Sequence, residues 1–140
     1  MNTLKDHGPE PTVIDIEAVT LENPNFRTAL WTGTKLQVTL MTIPVGGEVG
    51  LEIHDDTDQF LRVEAGEAKV LMGATKDNLT FQHDAAADFA IIVPVGTWHN
   101  IVNTGKEPLK LYSIYAPPHH PHGTVHATLA DAEAAEAAEH

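Results

Sequence analysis

The chain has 140 residues, 42% of them hydrophobic and 20% charged, which is typical of one globular domain with its own core. Its 8 basic and 20 acidic side chains leave a formal net charge of −12, which argues against nucleic acid and anionic membranes as partners. Cysteine is absent, so disulfides, thiolate catalysis and cysteine-based zinc sites are excluded. Because we find neither a secretory leader nor an apolar run long enough to span a membrane, we expect a cytoplasmic protein.

The predicted elements begin after a polar segment, residues 1–11, which contains one glycine and two prolines and is expected to form a flexible arm. Over residues 12–116, short runs rich in Val, Ile, Leu and Thr alternate with turn residues. The predicted strands are 12–19, 27–31, 35–43, 49–54, 58–64, 67–72, 79–82, 88–93, 98–103 and 109–116. Many short strands separated by turn signals favour an all-β sandwich or barrel.

The C-terminal extension, residues 117–140, differs in composition. Pro117 and Pro118 end the last strand because proline cannot donate to a β-ladder. The next stretch carries four histidines, namely His119, His120, His122 and His126. Because proline interrupts it, we expect this stretch to be mobile rather than to form a second metal site. The last of the four histidines follows Gly-Thr-Val, which predicts an extra short strand that folds back onto the barrel or onto a partner subunit. The Ala- and Glu-rich residues 128–139 predict a short exposed helix whose only large apolar side chain is Leu129.

Two glycine-framed segments carry the chemistry, and the first is GGEVGLEIHDDTDQFLRVEAG, residues 46–66. It resembles the first motif of the cupin superfamily, whose members are small jelly-roll β-barrels. The motif runs from a glycine through His-x-His and a Glu to a second glycine. Without a gap, Gly46 and Gly66 take the glycine positions and His54 takes the second His position. Glu52 stands at the first His position, and Gln59 stands at the Glu position.

The second segment is ADFAIIVPVGTWHNIVN, residues 87–103. It resembles the second cupin motif, which runs from a glycine through Pro-x-Gly and His to Asn. Pro94, Gly96, His99 and Asn103 match that motif, whereas Asp88 occupies the position of its opening glycine. Together the two motifs imply an all-β, double-stranded β-helix barrel over residues 12–116, followed by a short C-terminal helix.

The resemblance also implies a metal site, because cupins bind a divalent metal with three His and one Glu. Here the implied ligands are His54, His99 and Glu52, and two imidazoles with one carboxylate form the facial triad that holds non-haem Fe(II). Strand parity places Glu52 and His54 on one face, and Gln59 adds a neutral amide oxygen as a fourth, weaker group. The set suits Fe, Mn, Co, Ni or Zn and does not choose among them, whereas Ca and Mg prefer more oxygen ligands.

Two alternatives concern the carboxylate. His54-x-Asp56 with His99 also spells a His-x-Asp…His triad, but that frame shortens the first motif, whereas the Glu52 frame preserves both glycine spacings. If Glu52 is not a ligand, it becomes the natural general base of the site, and it is our candidate catalytic residue.

The resemblance leaves the reaction open, because one fold hosts many chemistries. We expect a metal-binding protein that binds or transforms a small oxygen-rich molecule, such as a sugar or sugar acid. If it is an enzyme, the superfamily implies an isomerase or epimerase, a lyase or a dioxygenase. The alternative is a non-enzymatic binding or sensing protein with a weakened or empty metal site.

Two further expectations concern ligand charge and assembly. The net negative charge argues against highly anionic ligands unless a cation such as Arg62, Lys69 or Lys35 faces the pocket. Cupins commonly pair through sheet edges, so we expect a homodimer in which the predicted strand 12–19 pairs with or exchanges between subunits.

Overall fold

The computed structural model describes the backbone of residues 4–139 and the side chains of residues 4–137. Within these residues it contains nine strands and two helices, in an order that places one helix at each end of the strand-rich region. The elements are α1 (Ile16–Glu22), β1 (Arg27–Thr32), β2 (Gln37–Ile43), β3 (Asp58–Ala65), β4 (Glu67–Gly73), β5 (Phe81–Ala86), β6 (Ala90–Val93), β7 (Trp98–Asn103), β8 (Leu109–Ala116), β9 (Val125–His126) and α2 (Leu129–Glu139).

The strands form two antiparallel sheets. The larger has the order β6-β3-β8-β2-β1-β9, and the smaller has the order β5-β4-β7. One apolar cluster joins their facing sides, with Met41 and Leu111 from the larger sheet and Val70 and Ile101 from the smaller one. The all-β jelly-roll architecture and the short C-terminal helix expected from the sequence are therefore confirmed.

The predicted strand 12–19 is wrong, because this region forms helix α1. The Asp15 side chain caps the helix by accepting a hydrogen bond from the Ala18 amide, which satisfies one of the free N–H groups of the first turn. Val19 packs with Leu40 and Leu30 on the outer face of the larger sheet. The spacing of the apolar residues in this region is compatible both with a helix face and with a strand. Packing against the sheet selects the helix.

The predicted strand 49–54 is also wrong, because this segment does not join a regular ladder. Two isolated bridges contact β7 here, Glu52 with His99 inside the segment and Glu48 with Val102 just before it. Gly50, with φ of +102°, lies between the bridges and interrupts the extended conformation. This irregular crossing positions the candidate ligands described below.

Segments near both ends of the described part of the chain contact the barrel. In the N-terminal segment, the Asp6 carboxylate accepts hydrogen bonds from the Thr32 hydroxyl and from the Gly8 and Gly123 amides. In α2, Leu129 packs against the core and Ala132 is 2% exposed, so the helix is docked rather than simply exposed. Among residues 4–139, no helix has the length and hydropathy needed to cross a membrane.

Candidate metal centre

Three of the predicted ligands meet inside the barrel. Glu52 Oε1 lies 3.4 Å from His54 Nε2 and 3.3 Å from His99 Nε2. His54 is 4% exposed and His99 is 1% exposed, so both imidazoles are withdrawn from solvent. Among residues 4–137, these three residues form the one cluster of His and carboxylate side chains with metal-binding spacing.

Main-chain hydrogen bonds bring the two motifs together. The Glu52 amide donates to the His99 carbonyl at 3.0 Å, and the His99 amide donates to the Glu52 carbonyl at 2.9 Å. The Gly96 amide donates to the His54 carbonyl at 2.8 Å, and Gly96 has a φ of +75°, a conformation that glycine adopts without steric cost. The Pro-x-Gly turn therefore attaches the second motif directly to the first.

The electrostatics of the cluster favour cation binding. His99 Nδ1 lies 3.0 Å from the Thr97 carbonyl, a contact that orients the ring so that Nε2 faces Glu52. Burial by itself would raise the pKa of Glu52, but the neighbouring imidazoles of His54 and His99 outweigh burial and hold this pKa well below its usual range. Glu52 is therefore a carboxylate at neutral pH.

The donor atoms fit a metal ion in both bonding and spacing. Glu52 Oε1, His54 Nε2 and His99 Nε2 are buried and have no hydrogen-bond partner among the described residues, although buried polar atoms are normally paired. For bonds of about 2.1 Å, neighbouring ligand atoms lie about 3.0 Å apart in an octahedral site and about 3.4 Å apart in a tetrahedral one. The two separations from Glu52 Oε1, 3.4 Å to His54 Nε2 and 3.3 Å to His99 Nε2, fall within this range.

The remaining predicted positions differ in burial. Gln59 is 3% exposed; its Nε2 donates to Ser113 Oγ at 2.8 Å, and its Oε1 has no partner among the described residues. Asp56 is exposed, accepts a hydrogen bond from the Thr57 hydroxyl and lies outside the ligand cluster. The structure thus leaves an amide oxygen available at position 59 and favours the Glu52 frame over the Asp56 frame.

The histidine-rich segment contacts the site, so the expectation of a freely mobile segment is wrong at its first two histidines. The His119 ring centroid lies 4.3 Å from that of His54, and His120 is 8% exposed. The buried Gln37 side chain accepts hydrogen bonds from both of their amides and donates to the His120 carbonyl. The predicted short strand at His126 is present as β9, which pairs with β1.

Two interior residues escaped the sequence analysis, Arg27 and Tyr115. Arg27 is 2% exposed, and its Nη1 lies 3.3 Å from His126 Nδ1. Tyr115 is fully buried, its ring centroid is 5.6 Å from that of His54, and burial raises its pKa. Arginine at the start of a strand is typical of a surface position. The only sequence signal for the burial of Arg27 was that it lies two positions from Ala29 in a predicted strand, and therefore on the same face of the sheet.

The cations named from the sequence lie elsewhere. Arg62 pairs with Glu64 and Asp88 on the outside of the barrel, while Lys35 and Lys69 are exposed. Arg27 therefore supplies the buried cation beside the site. It shares a cavity of about 160 Å³ with Glu52, and helix α2 forms the opposite wall.

Fold and site together define a jelly-roll barrel with a candidate metal centre. The chain matches the Cupin domain family over residues 39–115 and belongs to that family. It is 61% identical over 133 residues to the uncharacterized protein YrkC of Bacillus subtilis. That alignment covers 95% of this chain and 72% of YrkC. The crystal structure of BH2720 from Bacillus halodurans is similar with a TM-score of 0.92 and 62% identity, covering 93% of this chain and 98% of that one.

A more distant structure, Bacillus subtilis oxalate decarboxylase, is 23% identical with a TM-score of 0.57. The match covers 63% of this chain and 23% of the decarboxylase chain. At that identity the likeness shows the fold alone.

Proposed function

We propose that Glu52, His54 and His99 bind a divalent transition metal, with the Gln59 amide oxygen as a fourth, weaker ligand. The observation that carries this proposal is the convergence of one carboxylate oxygen and two imidazole nitrogens, all buried and without hydrogen-bond partners among the described residues. Such a donor set suits Fe, Mn, Co, Ni or Zn. The protein would use this centre to bind or transform a small oxygen-rich molecule such as a sugar or sugar acid.

A bound divalent metal supplies Lewis acidity toward a carbonyl or hydroxyl oxygen. The chain's own residues orient the ligand, exclude water and set the charge of the site. Glu52 serves as a ligand rather than as a general base in this proposal, because its Oε1 lies between the two imidazoles. With Glu52, His54 and His99 as the protein ligands, open positions remain for the small molecule.

Zinc titration by isothermal calorimetry tests the metal centre, using protein freed of metal by dialysis against chelator. His54→Ala and His99→Ala should each weaken zinc binding by at least about 100-fold, and Glu52→Gln should weaken it by about 10- to 100-fold. His83→Ala removes an exposed imidazole on β5 and serves as the control. Unchanged zinc affinity in both ligand-histidine variants would refute the metal proposal.

The second candidate function is non-enzymatic binding or sensing. Gln59 favours it, because a neutral amide stands where the family motif has a carboxylate, which lowers the negative charge around the cation. Mass spectrometry of sugar acids incubated with metal-loaded protein separates the two functions. An unchanged ligand mass together with saturable binding indicates a binding protein, and a new product indicates an enzyme.

We further propose that the protein is a cytoplasmic homodimer, although the strand 12–19 that was to form the interface is helical. Exposed apolar side chains instead surround the edge strands β5 and β6, namely Phe81, Phe89 and Ile92, at 51%, 52% and 64% exposure. Apolar side chains beside strand edges are typical of an interface. A monomeric mass by light scattering at micromolar concentration would exclude the dimer.

A further inference from the structure

We propose that residues 117–123, which we call the strap, cover the candidate metal centre, and that local opening of the strap controls how fast small molecules and ions reach it. This inference rests on the proposed function, since it concerns access to the same centre. The strap lies between β8 and β9. It follows both glycine-framed motifs and lies beyond the residues that match the Cupin domain family.

The first observation is the position of the strap residue His119 against the candidate ligand His54. The two ring centroids are 4.3 Å apart in an edge-to-face arrangement, and the His119 ring centroid lies 5.7 Å from that of Tyr115. His119 is exposed, whereas His54 is 4% exposed and Tyr115 is fully buried. The His119 ring therefore lies on the solvent side of both, and the strap helps to withdraw His54 from water.

His119 is placed as a cover rather than as a ligand. The ligand atoms of Glu52, His54 and His99 lie within 4.8 Å of one another, and His119 is not a member of that cluster. A cover that does not bind the ion changes the rates of entry and exit by the same factor. Its opening therefore alters the kinetics of metal exchange and leaves the equilibrium affinity unchanged.

The second observation is that two side chains, far apart in sequence, hold the ends of the strap. Gln37 Oε1 accepts hydrogen bonds from the His119 and His120 amides at 3.1 and 2.9 Å. Gln37 Nε2 donates to the His120 carbonyl at 2.8 Å. At the other end, the Asp6 carboxylate accepts a hydrogen bond from the Gly123 amide at 2.9 Å. The strap is thus attached through side chains rather than through a β-ladder.

Few other contacts hold the strap. The Thr57 hydroxyl donates to the Pro117 carbonyl at 3.4 Å, and His122 Nε2 lies 2.7 Å from the Gly8 carbonyl. Among residues 4–137, no main-chain hydrogen bond joins the strap to either sheet. Opening of the strap therefore leaves the strand pairing of the barrel intact.

The composition of the strap also favours local opening. Its sequence is PPHHPHG, which contains no Leu, Ile, Val, Phe or Trp to anchor it in the core, and His120 is its one buried residue. Segments with few buried apolar contacts open at a lower free energy than the whole domain. The strap can therefore open while the barrel stays folded.

Chemical modification of metal-free protein tests the strap without any metal. Diethyl pyrocarbonate carbethoxylates accessible imidazoles, and peptide mass spectrometry reads each histidine separately. Gln37→Leu removes three hydrogen bonds to the strap and should raise the modification rate at His54 by at least about 10-fold. The rate at His83, which is exposed on β5, should stay the same and is the internal control.

Transfer of zinc from loaded protein to a chromogenic chelator tests the effect on exchange. Gln37→Leu should accelerate zinc release by at least about 10-fold and leave zinc affinity within about 3-fold. Gly66→Ala is the matched control, because its Cβ would crowd Leu109 and destabilise the fold away from the strap. This control should leave the release rate unchanged. Equally fast release from both variants would mean that general destabilisation frees the ion, which would overturn the proposal.

The remaining outcomes separate the strap from the metal centre. If Gln37→Leu does not fold, Asp6→Ala carries the test and should speed zinc release by about 3- to 10-fold. Unchanged modification of His54 in both variants would overturn the strap and leave the metal centre standing. If the wild type does not bind zinc, the metal centre is wrong, and the modification experiment still decides the strap. A loss of zinc affinity in His119→Ala as large as in His54→Ala would make His119 a ligand and overturn its role as a cover.

Discussion

Glu52 and His99 are joined twice, because each main-chain amide donates to the other's carbonyl, at 3.0 Å and 2.9 Å. The same two residues approach through their side chains, at 3.3 Å between Oε1 and Nε2. The backbone bridge therefore sets the spacing of two proposed ligands without relying on a continuous ladder. Ligand atoms held in this way need little rearrangement when a cation binds.

Restoring the family's usual carboxylate at position 59 should tighten metal binding. Gln59→Glu adds a negative charge beside the proposed cation, and the Ser113 hydroxyl that now contacts the amide can donate to the new carboxylate. We expect zinc affinity to rise by about 10-fold, measured by competition against a chromogenic chelator. Asp56→Asn is the control and should have no effect. A loss of affinity in that control, with Glu52→Gln silent, would instead support the alternative ligand frame.

The Gln37 side chain should contribute strongly to stability. It is fully buried and forms hydrogen bonds with the main chain of His119 and His120 and with the Thr32 hydroxyl. Gln37→Leu removes the partner of the His119 amide, the His120 amide and the His120 carbonyl, so the free energy of unfolding should fall by about 2–4 kcal/mol in urea titrations. Hydrogen exchange at the two histidine amides should accelerate. Gln82→Leu, at an exposed position, should cost less than about 0.5 kcal/mol, and equal losses in the two variants would contradict the prediction.

Helix α2 provides a matched pair of substitutions. Ala132 is 2% exposed, whereas Ala134 is exposed on the same helix. Ala132→Glu buries a charge against the core and should lower the free energy of unfolding by about 2–4 kcal/mol, while Ala134→Glu should change it by less than about 0.5 kcal/mol. Thermal unfolding followed by circular dichroism measures both. Two small, equal effects would show that the helix does not dock.

The two glycines that frame the first motif should differ in their tolerance of alanine. Both have positive φ, +78° at Gly46 and +97° at Gly66. A Cβ at Gly46 would meet no atom within 4 Å, whereas a Cβ at Gly66 would lie 3.0 Å from Leu109 Cα and 3.1 Å from the Pro108 oxygen. Gly46→Ala should cost about 1 kcal/mol and Gly66→Ala about 2–4 kcal/mol in urea unfolding. The reverse order would indicate that crowding at Gly66 is relieved by backbone movement.

Asp6 should make stability depend on pH. Burial by itself would raise the pKa of Asp6, but hydrogen bonds from Thr32, Gly123 and Gly8 and the charge of His122 outweigh burial and lower it. The stabilisation is therefore complete above the unfolded-state pKa of about 3.9 and is lost as pH falls through the lower folded-state value.

Asp6→Asn should remove this stabilisation, which we expect to be about 1–2 kcal/mol at pH 7. The difference from the wild type should shrink below about pH 4, as measured by urea unfolding across a pH series. Asp77→Asn, at an exposed turn, is the control. A difference that stays constant with pH would mean that the Asp6 charge contributes nothing.

Much of the fold and the candidate metal cluster was predictable from the sequence. The glycine-framed motifs placed Glu52, His54 and His99 at defined spacings, and the short alternating runs favoured an all-β barrel. Local patterns were sufficient for the barrel because strand parity and turn chemistry depend on neighbouring residues, whereas the candidate ligands followed from the resemblance of the two motifs to the cupin superfamily.

Tertiary structure alone decided the remainder. Helix α1 replaced a predicted strand because Val19 had an apolar sheet face to pack against. Arg27 resembled a surface residue until β2 and β9 paired on either side of it and buried it. Gln37 and His119 are 82 positions apart in sequence, so no local pattern could join them. Burial and long-range hydrogen bonding depend on which distant strands become neighbours, and that pairing exists only in the folded chain.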